Sequence, residues 1–291
     1  MMFQGIYTAL VTPFKNGDID WPSLRRLVRF QIDQGIAGFV IAGTTGESPT
    51  LSLEEKEKIF RFVKAESDGS LPLIVGTGTN NTLTTVQDTQ AAQKWGADGA
   101  LVVVPYYNKP PQEGLVAHYR RVAREVNLPI LLYNVPGRTG VSLSLESVVT
   151  LSGEKHIVGI KEATGDAEFS RKIVQGCHRE FLVTSGDDGA YLKVYEAGGR
   201  GVISVLSHLI AAPMVKWAKA IVAGDTIVHQ EFAKYMNLTN LLFSESNPIP
   251  VKAALKNMGI IDSNELRLPL VSMSGQGEKT LLEELKTLGL V

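Results

Sequence analysis

Eight short apolar runs rich in β-branched residues recur along the chain, at 6–11, 38–42, 71–75, 99–104, 128–133, 156–161, 181–186 and 201–205. Their starts lie 20 to 33 residues apart. Each run is continuous rather than alternating, a pattern that suits strands covered on both faces in a parallel sheet. Between the runs the period changes. Leu115, Val116, Tyr119, Val122, Ala123 and Val126 share one face at helical spacing. Ser52 followed by Glu55 reads as a capping box ahead of Ile59, Phe60 and Val63. Trp95-Gly96 reads as a helix end with glycine just beyond it. Strand then helix, repeated eight times, predicts an α/β fold, a (β/α)8 TIM barrel. An open doubly wound sheet would use similar elements, but no G-x-G-x-x-G motif opens the chain.

More chain follows the last run than one barrel helix requires. Segments 211–222, 226–243, 251–257 and 279–288 read as helical. Gly224-Asp225 marks the expected boundary between a catalytic barrel, 1–224, and a C-terminal helical region, 225–291. Asn247-Pro248-Ile249-Pro250 is stiff punctuation inside that appendix. Its helices are expected to pack on the barrel or on a neighbouring subunit.

Composition narrows the class. Twenty-nine Lys and Arg balance 30 Asp and Glu, for a net charge of -1. A nucleic-acid binder usually carries a basic surplus, so none is expected as a partner. A single cysteine, Cys177, excludes an intrachain disulfide and a cysteine-cluster metal site, and fits a cytoplasmic setting. Residues 1–14 are apolar but lack a basic start and are broken by Gly5, Thr8, Thr12 and Pro13, which argues against a signal peptide. No uninterrupted apolar stretch is long enough for a transmembrane helix.

Barrel enzymes carry their reacting groups at the C-terminal ends of the strands. Here those ends hold 43–48, 105–108, 133–140, 161–165 and 185–188. Lys161 closes an apolar run and should point into the barrel mouth. Desolvation disfavours a charged lysine, and a neutral amine can form a Schiff base with a ketone. An ion pair with Glu162, or escape to solvent, is the alternative. Tyr133 ends the neighbouring run and could shuttle protons, or be a packed core tyrosine. Arg138 follows in a Pro-Gly loop, where its fork could hold a carboxylate or simply lie on the surface. Thr44-Thr45-Gly46 precedes the capped helix and offers hydroxyl and N–H donors for a carboxylate, unless it is only a turn. Asp187-Asp188 could be a metal pair, but a helix N-cap explains them as well. Gly198-Gly199-Arg200 could hold a phosphate or make a tight turn. The five histidines have no ligand spacing, so no metal site is expected.

These residues carry a resemblance. Gly43-Thr44-Thr45-Gly46-Glu47-Ser48, the run from Tyr133 to Gly140, and the run from Gly159 to Gly165 resemble the signatures of the dihydrodipicolinate synthase branch of the pyruvate-dependent class I aldolases, the N-acetylneuraminate lyase family. Ser185-Gly186-Asp187-Asp188, Gly201-Val202-Ile203-Ser204 and Asn247-Pro248-Ile249-Pro250-Val251-Lys252 match as well, so the likeness spans the chain. Arg138 in its Y-N-V-P-x-R-T setting points to the synthase branch over the sialic acid lyases. The resemblance implies condensation of pyruvate with L-aspartate 4-semialdehyde on the way to diaminopimelate and lysine. It implies that Lys161 forms an imine with pyruvate and that Tyr133 relays protons. Thr44 would link Tyr133 to a Tyr107 supplied by the neighbouring subunit. Thr45 would hold the pyruvate carboxylate, Arg138 that of the semialdehyde, and backbone at Gly186 and Ile203 would line the site. No external cofactor is implied, and the assembly implied is a homotetramer of two tight dimers. A related aldolase acting on a sialic acid or a keto-deoxy sugar acid is the alternative.

Some family members are inhibited by lysine bound at the tight interface. The matching positions are Ser48, Pro49, Leu53, Lys56, Asn80, Thr84 and Tyr106. Thr84 stands where inhibited members carry a glutamate, and Leu53 and Lys56 where many carry histidines. A lysine ligand needs a carboxylate for its extra ammonium, so little or no sensitivity is expected.

Overall fold

The computed structural model describes residues 2–291; Met1, the first residue of the N-terminal stretch weighed above as a leader, lies outside them. Ten strands run in chain order: β1 (Gly5–Ala9), β2 (Phe14–Lys15), β3 (Asp18–Ile19), β4 (Gly38–Ile41), β5 (Leu73–Gly76), β6 (Gly99–Val103), β7 (Ile130–Asn134), β8 (Ile157–Glu162), β9 (Leu182–Ser185) and β10 (Gly201–Ser204). All but β2 and β3 close into one barrel, each strand parallel to its neighbours, in the order β1, β4, β5, β6, β7, β8, β9, β10 and back to β1. The eight predicted runs are the eight barrel strands, and the open-sheet alternative is excluded by the closure of β1 on β10.

Both faces of these strands are covered, which is why they read as continuous apolar runs. Tyr7, Val40, Ile74, Leu101, Leu131, Leu182 and Ile203 point inward and fill the barrel. Their neighbours Ile6, Phe39, Ile41, Val75, Val102, Leu132, Ile160 and Val202 point outward under the helices. Each such side chain contributes about 1.5–3 kcal/mol when fully buried.

The outer layer comprises α1 (Trp21–Asp33), α2 (Leu53–Glu66), α3 (Thr82–Trp95), α4 (Gln112–Glu125), α5 (Pro136–Thr139), α6 (Leu145–Ser152), α7 (Ala167–Gly176), α8 (Tyr191–Glu196) and α9 (Ser207–Val222). The capping box is present at α2: Ser52 accepts from the Glu55 N–H, and Glu55 accepts from the Ser52 N–H. Gly96 ends α3 with φ +82°, a left-handed conformation that suits glycine. Beyond α9 come α10 (Val228–Ala233), α11 (Met236–Leu241), α12 (Ile249–Asn257) and α13 (Gly275–Thr287).

Several expected boundaries shift. The helix read over 226–243 is two helices, α10 and α11, broken near Tyr235 with no glycine or proline to signal it. The helices read from 251 and 279 start earlier, at Ile249 and Gly275, whereas the helix read from 211 begins there, directly after a non-helical Ile210 that separates it from a short turn starting at Ser207. The β2–β3 hairpin has no signal in the sequence pattern, since two-residue strands are too short to show a period. It meets the C-terminal region through a bridge from Phe14 to Glu265.

Candidate active site

The C-terminal ends of β7 and β8 put Tyr133 and Lys161 side by side as register partners. Both face the barrel interior, and both are nearly buried, at 6% and 7% exposure. The Lys161 Nζ lies over the Tyr133 ring, 4.3 Å from its centroid. Gly186, just past β9, makes room for this lysine. A Cβ there would sit 2.8 Å from Lys161 Cε and 2.6 Å from Ala163 Cβ. Its N–H donates to Glu162 O at 2.6 Å, continuing the ladder past the strand end.

Strand alternation settles the partner question for Lys161. Asn134 and Glu162 are the next residues on their strands and face outward. The Asn134 Nδ2 donates to Glu162 Oε2 at 2.7 Å, and the Thr164 N–H donates to Oε1 at 2.7 Å. Burial pushes the Glu162 carboxyl above the usual carboxylate range, against those hydrogen bonds. Glu162 is therefore spent on the strand-end scaffold, and the expected alternative of a Lys161–Glu162 ion pair is not formed.

A cavity of about 400 Å³ opens at this end of the barrel, and its lining includes Thr44, Leu101, Tyr106, Tyr133, Val135 and Arg138. That volume is in the range of small-ligand sites. Arg138 sits on α5 among the cavity lining, exposed, and its side chain has no hydrogen-bond or ion-pair partner among the described residues. Thr44 lines the cavity but forms no hydrogen bond with Tyr133 among the described residues. Tyr106 lines the cavity as well. Tyr107 does not; it is 87% exposed at φ +74°. Within one chain, then, Thr44, Tyr133 and Arg138 line one cavity, Lys161 adjoins it through its contact with Tyr133, and Tyr107 is not part of the lining. Ile203 is an inward-facing residue of β10, 2% exposed.

The turn after β4 is held from several sides. Thr12 Oγ1 donates to Gly46 O at 2.8 Å. Thr45, 3% exposed, accepts at Oγ1 from Asn247 Nδ2 at 2.8 Å. Glu47 adopts φ +56° and is wholly buried against Lys252 of α12. The Lys252 Nζ also donates to Glu265 O at 2.7 Å and covers the Phe14 ring at 4.3 Å, while Glu47 Oε2 accepts from the Arg267 N–H at 3.0 Å. Burial pushes the Lys252 amine down to about 8, opposed by the attraction of Glu47. Breaking such a pair by removing one partner costs about 3–5 kcal/mol. Residue chemistry alone does not mark Asn247 or the Glu47–Lys252 pair as site elements in the sequence. The one signal available was their place in the matched motifs.

Asp187 and Asp188 have different roles. Asp187 Oδ1 accepts from the Ala190 N–H at 2.9 Å, ahead of α8. Asp188 is not a cap for its own helix. Its Oδ2 accepts from the N–H groups of Val205 and Leu206, each at 2.9 Å, which ties the end of β9 to the end of β10. Burial raises its carboxyl above the usual range. The Gly198-Gly199-Arg200 segment precedes β10, so it lies at the opposite, N-terminal mouth of the barrel, where the Gly198 and Gly199 N–H groups donate to Tyr195 O and Val194 O in a turn. Among the described residues, no group of three or more His, Cys, Asp and Glu side chains is arranged to hold a metal ion. No described helix is long and apolar enough to cross a membrane.

Comparison with known proteins points the same way along the whole chain. The model of the dihydrodipicolinate synthetase family matches residues 2–288. The 4-hydroxy-tetrahydrodipicolinate synthase of Bdellovibrio bacteriovorus is 50% identical over 290 residues, covering 99% of each chain. The crystal structure of dihydrodipicolinate synthase from Thermotoga maritima superposes with a TM-score of 0.97 at 44% identity, covering 100% of each chain. The chloride-inhibited dihydrodipicolinate synthase of Acinetobacter baumannii, solved in complex with pyruvate, gives a TM-score of 0.96 at 43% identity over 99% of each chain.

Proposed function

The chain belongs to the dihydrodipicolinate synthetase family, and from that membership we propose that it condenses pyruvate with L-aspartate 4-semialdehyde, giving 4-hydroxy-tetrahydrodipicolinate and water. The step commits aspartate-derived carbon to diaminopimelate and lysine. The observation that carries this reading is Lys161, nearly buried at a barrel-strand end with its Nζ against Tyr133 and its Glu162 neighbour turned away.

The Lys161 amine attacks C2 of pyruvate, and the keto oxygen leaves as water to form an imine. Loss of a C3 proton gives the enamine, whose C3 adds to the aldehyde carbon of the semialdehyde. The amino nitrogen of that substrate then attacks C2, closes the ring and displaces the Lys161 amine. Tyr133, with Thr44 and Tyr107, moves protons on and off these intermediates. Thr45 holds the pyruvate carboxylate, and Arg138 takes the carboxylate of the semialdehyde in a bidentate grip. Backbone at Gly186 and Ile203 lines the site. The imine is itself the electron sink, so the scheme calls for no external cofactor and no metal.

Tyr107 enters this scheme from a second copy of the chain, in a homotetramer of two tight dimers. Its high exposure, outside the lining of its own chain's cavity, supports that role. Residues 1–224 carry the reacting groups in this scheme, and 225–291 buttress them. A cytoplasmic setting, expected from the single cysteine, belongs to the same proposal.

The discriminating experiment is turnover on a substrate panel. Purified enzyme should consume pyruvate in the presence of aspartate semialdehyde, with little or no cleavage of N-acetylneuraminate or keto-deoxy sugar acids. The reverse preference would replace the proposal with the aldolase alternative.

A further inference from the structure

We infer that Asn247 is a positioning residue for the first substrate, its side-chain amide orienting the Thr45 hydroxyl so that the hydroxyl proton is left to donate to the substrate carboxylate. The inference rests on the reading that Thr45 holds the pyruvate carboxylate. A threonine hydroxyl offers one proton and two lone pairs, whereas a carboxylate can only accept. Asn247 Nδ2 donates to Thr45 Oγ1 at 2.8 Å, occupying a lone pair. No other hydrogen bond to that hydroxyl is formed among the described residues, although Thr45 is only 3% exposed. With the amide in this orientation the hydroxyl proton is unspent, in a place where water has little access, and Asn247 Oδ1 is left buried without a partner among the described residues.

The arrangement has little room to drift. Asn247 is 7% exposed and stands just before α12, and Lys252 on that helix grips Glu47 in the same turn. Thr12 holds Gly46 between them. Three consecutive turn residues, Thr45, Gly46 and Glu47, are thus fastened by side chains from distant segments, two of them from the C-terminal region. The Glu47–Lys252 pair fixes the backbone; Asn247 touches the hydroxyl alone. That difference separates Asn247 from a residue that merely attaches the appendix.

The test measures the pyruvate concentration for half-maximal borohydride trapping on Lys161. It uses wild-type enzyme, Asn247→Ala, Thr45→Val and the double variant. Losing the hydrogen bond should raise the half-saturating concentration about tenfold in Asn247→Ala. In the Thr45→Val background the same substitution should change it less than about twofold, because coupled residues are not additive. The KM for aspartate semialdehyde at saturating pyruvate should barely move. Asn247→Ser, which cannot span the gap to Thr45, repeats the measurement if the alanine variant folds poorly. Equal losses with and without the Thr45 hydroxyl, or no loss at all, overturn the inference while leaving the reaction intact. Absence of any wild-type adduct on Lys161 overturns the underlying reading and the inference together.

Discussion

Lys161 Nζ rests 4.3 Å above the ring centroid of Tyr133, and the two residues are register partners on adjacent parallel strands. The contact uses the ring face and not the phenol oxygen. The ring therefore fixes where the amine points, and the hydroxyl remains free for proton transfer.

Tyr133→Phe separates those two roles. The phenylalanine ring keeps the packing against Lys161 but has no proton to give. Turnover should fall by about 10²–10⁴, the usual contribution of a positioned general acid or base, with the unfolding midpoint in urea nearly unchanged. Turnover close to the wild-type rate would show that the hydroxyl is not the relay.

Arg138 stands among the cavity lining and its side chain has no partner among the described residues, so its removal should cost binding and not folding. A charge-assisted carboxylate contact contributes about 1.5–3 kcal/mol. Steady-state kinetics of Arg138→Ala should show that loss in kcat/KM for aspartate semialdehyde, with imine formation from pyruvate largely preserved. Equal losses for both substrates would assign the arginine elsewhere.

Sensitivity to L-lysine should be low. Lys56 lines the cavity and faces Asp88 at 4.0 Å, so that carboxylate is already matched. Burial lowers the Lys56 amine, partly offset by Asp88. Thr84 and Leu53 offer no charge to a ligand ammonium. An inhibition curve at saturating pyruvate should give half-inhibition above about 1 mM, an affinity weaker than about 4 kcal/mol; a much lower value would mean that another group receives the ammonium.

Acid should destabilise the fold through His208. This residue is fully buried, accepts at Nε2 from the Val11 N–H at 3.2 Å, and is hydrogen-bonded through Nδ1 to Val205 O at 2.8 Å. Burial pushes its imidazole down to about 4 from an ordinary 6.5, against the pull of the Val205 carbonyl. The unfolded chain then binds the proton more tightly. Stability present above pH 6.5 is lost as the pH falls toward 4. Urea unfolding of wild type and His208→Gln at pH 7.5 and 4.5 checks this: the variant should show about 2 kcal/mol less acid loss. Identical acid losses would assign the sensitivity to other groups.

Much of this was legible because it depends on local pattern. Eight barrel strands announce themselves as continuous apolar runs because helices cover one face and the packed interior the other. Lys161 is visible because a charge closing such a run is out of place unless it faces a site. What escaped depends on partners far along the chain. The β2–β3 hairpin is too short to have a period, and the break between α10 and α11 contains neither glycine nor proline. Asn247 and Lys252 look like ordinary polar residues until folding brings them against Thr45 and Glu47, some two hundred positions away.

Trapping with pyruvate and borohydride, followed by peptide mass spectrometry, tests the assignment of the nucleophile. Reduction fixes the imine as a stable secondary amine on whichever lysine formed it. The expected result is a single reduced pyruvate adduct on the peptide carrying Lys161, absent from Lys161→Ala, whose turnover falls by orders of magnitude. An adduct on a different lysine of the wild-type enzyme, or full turnover without Lys161, would contradict it.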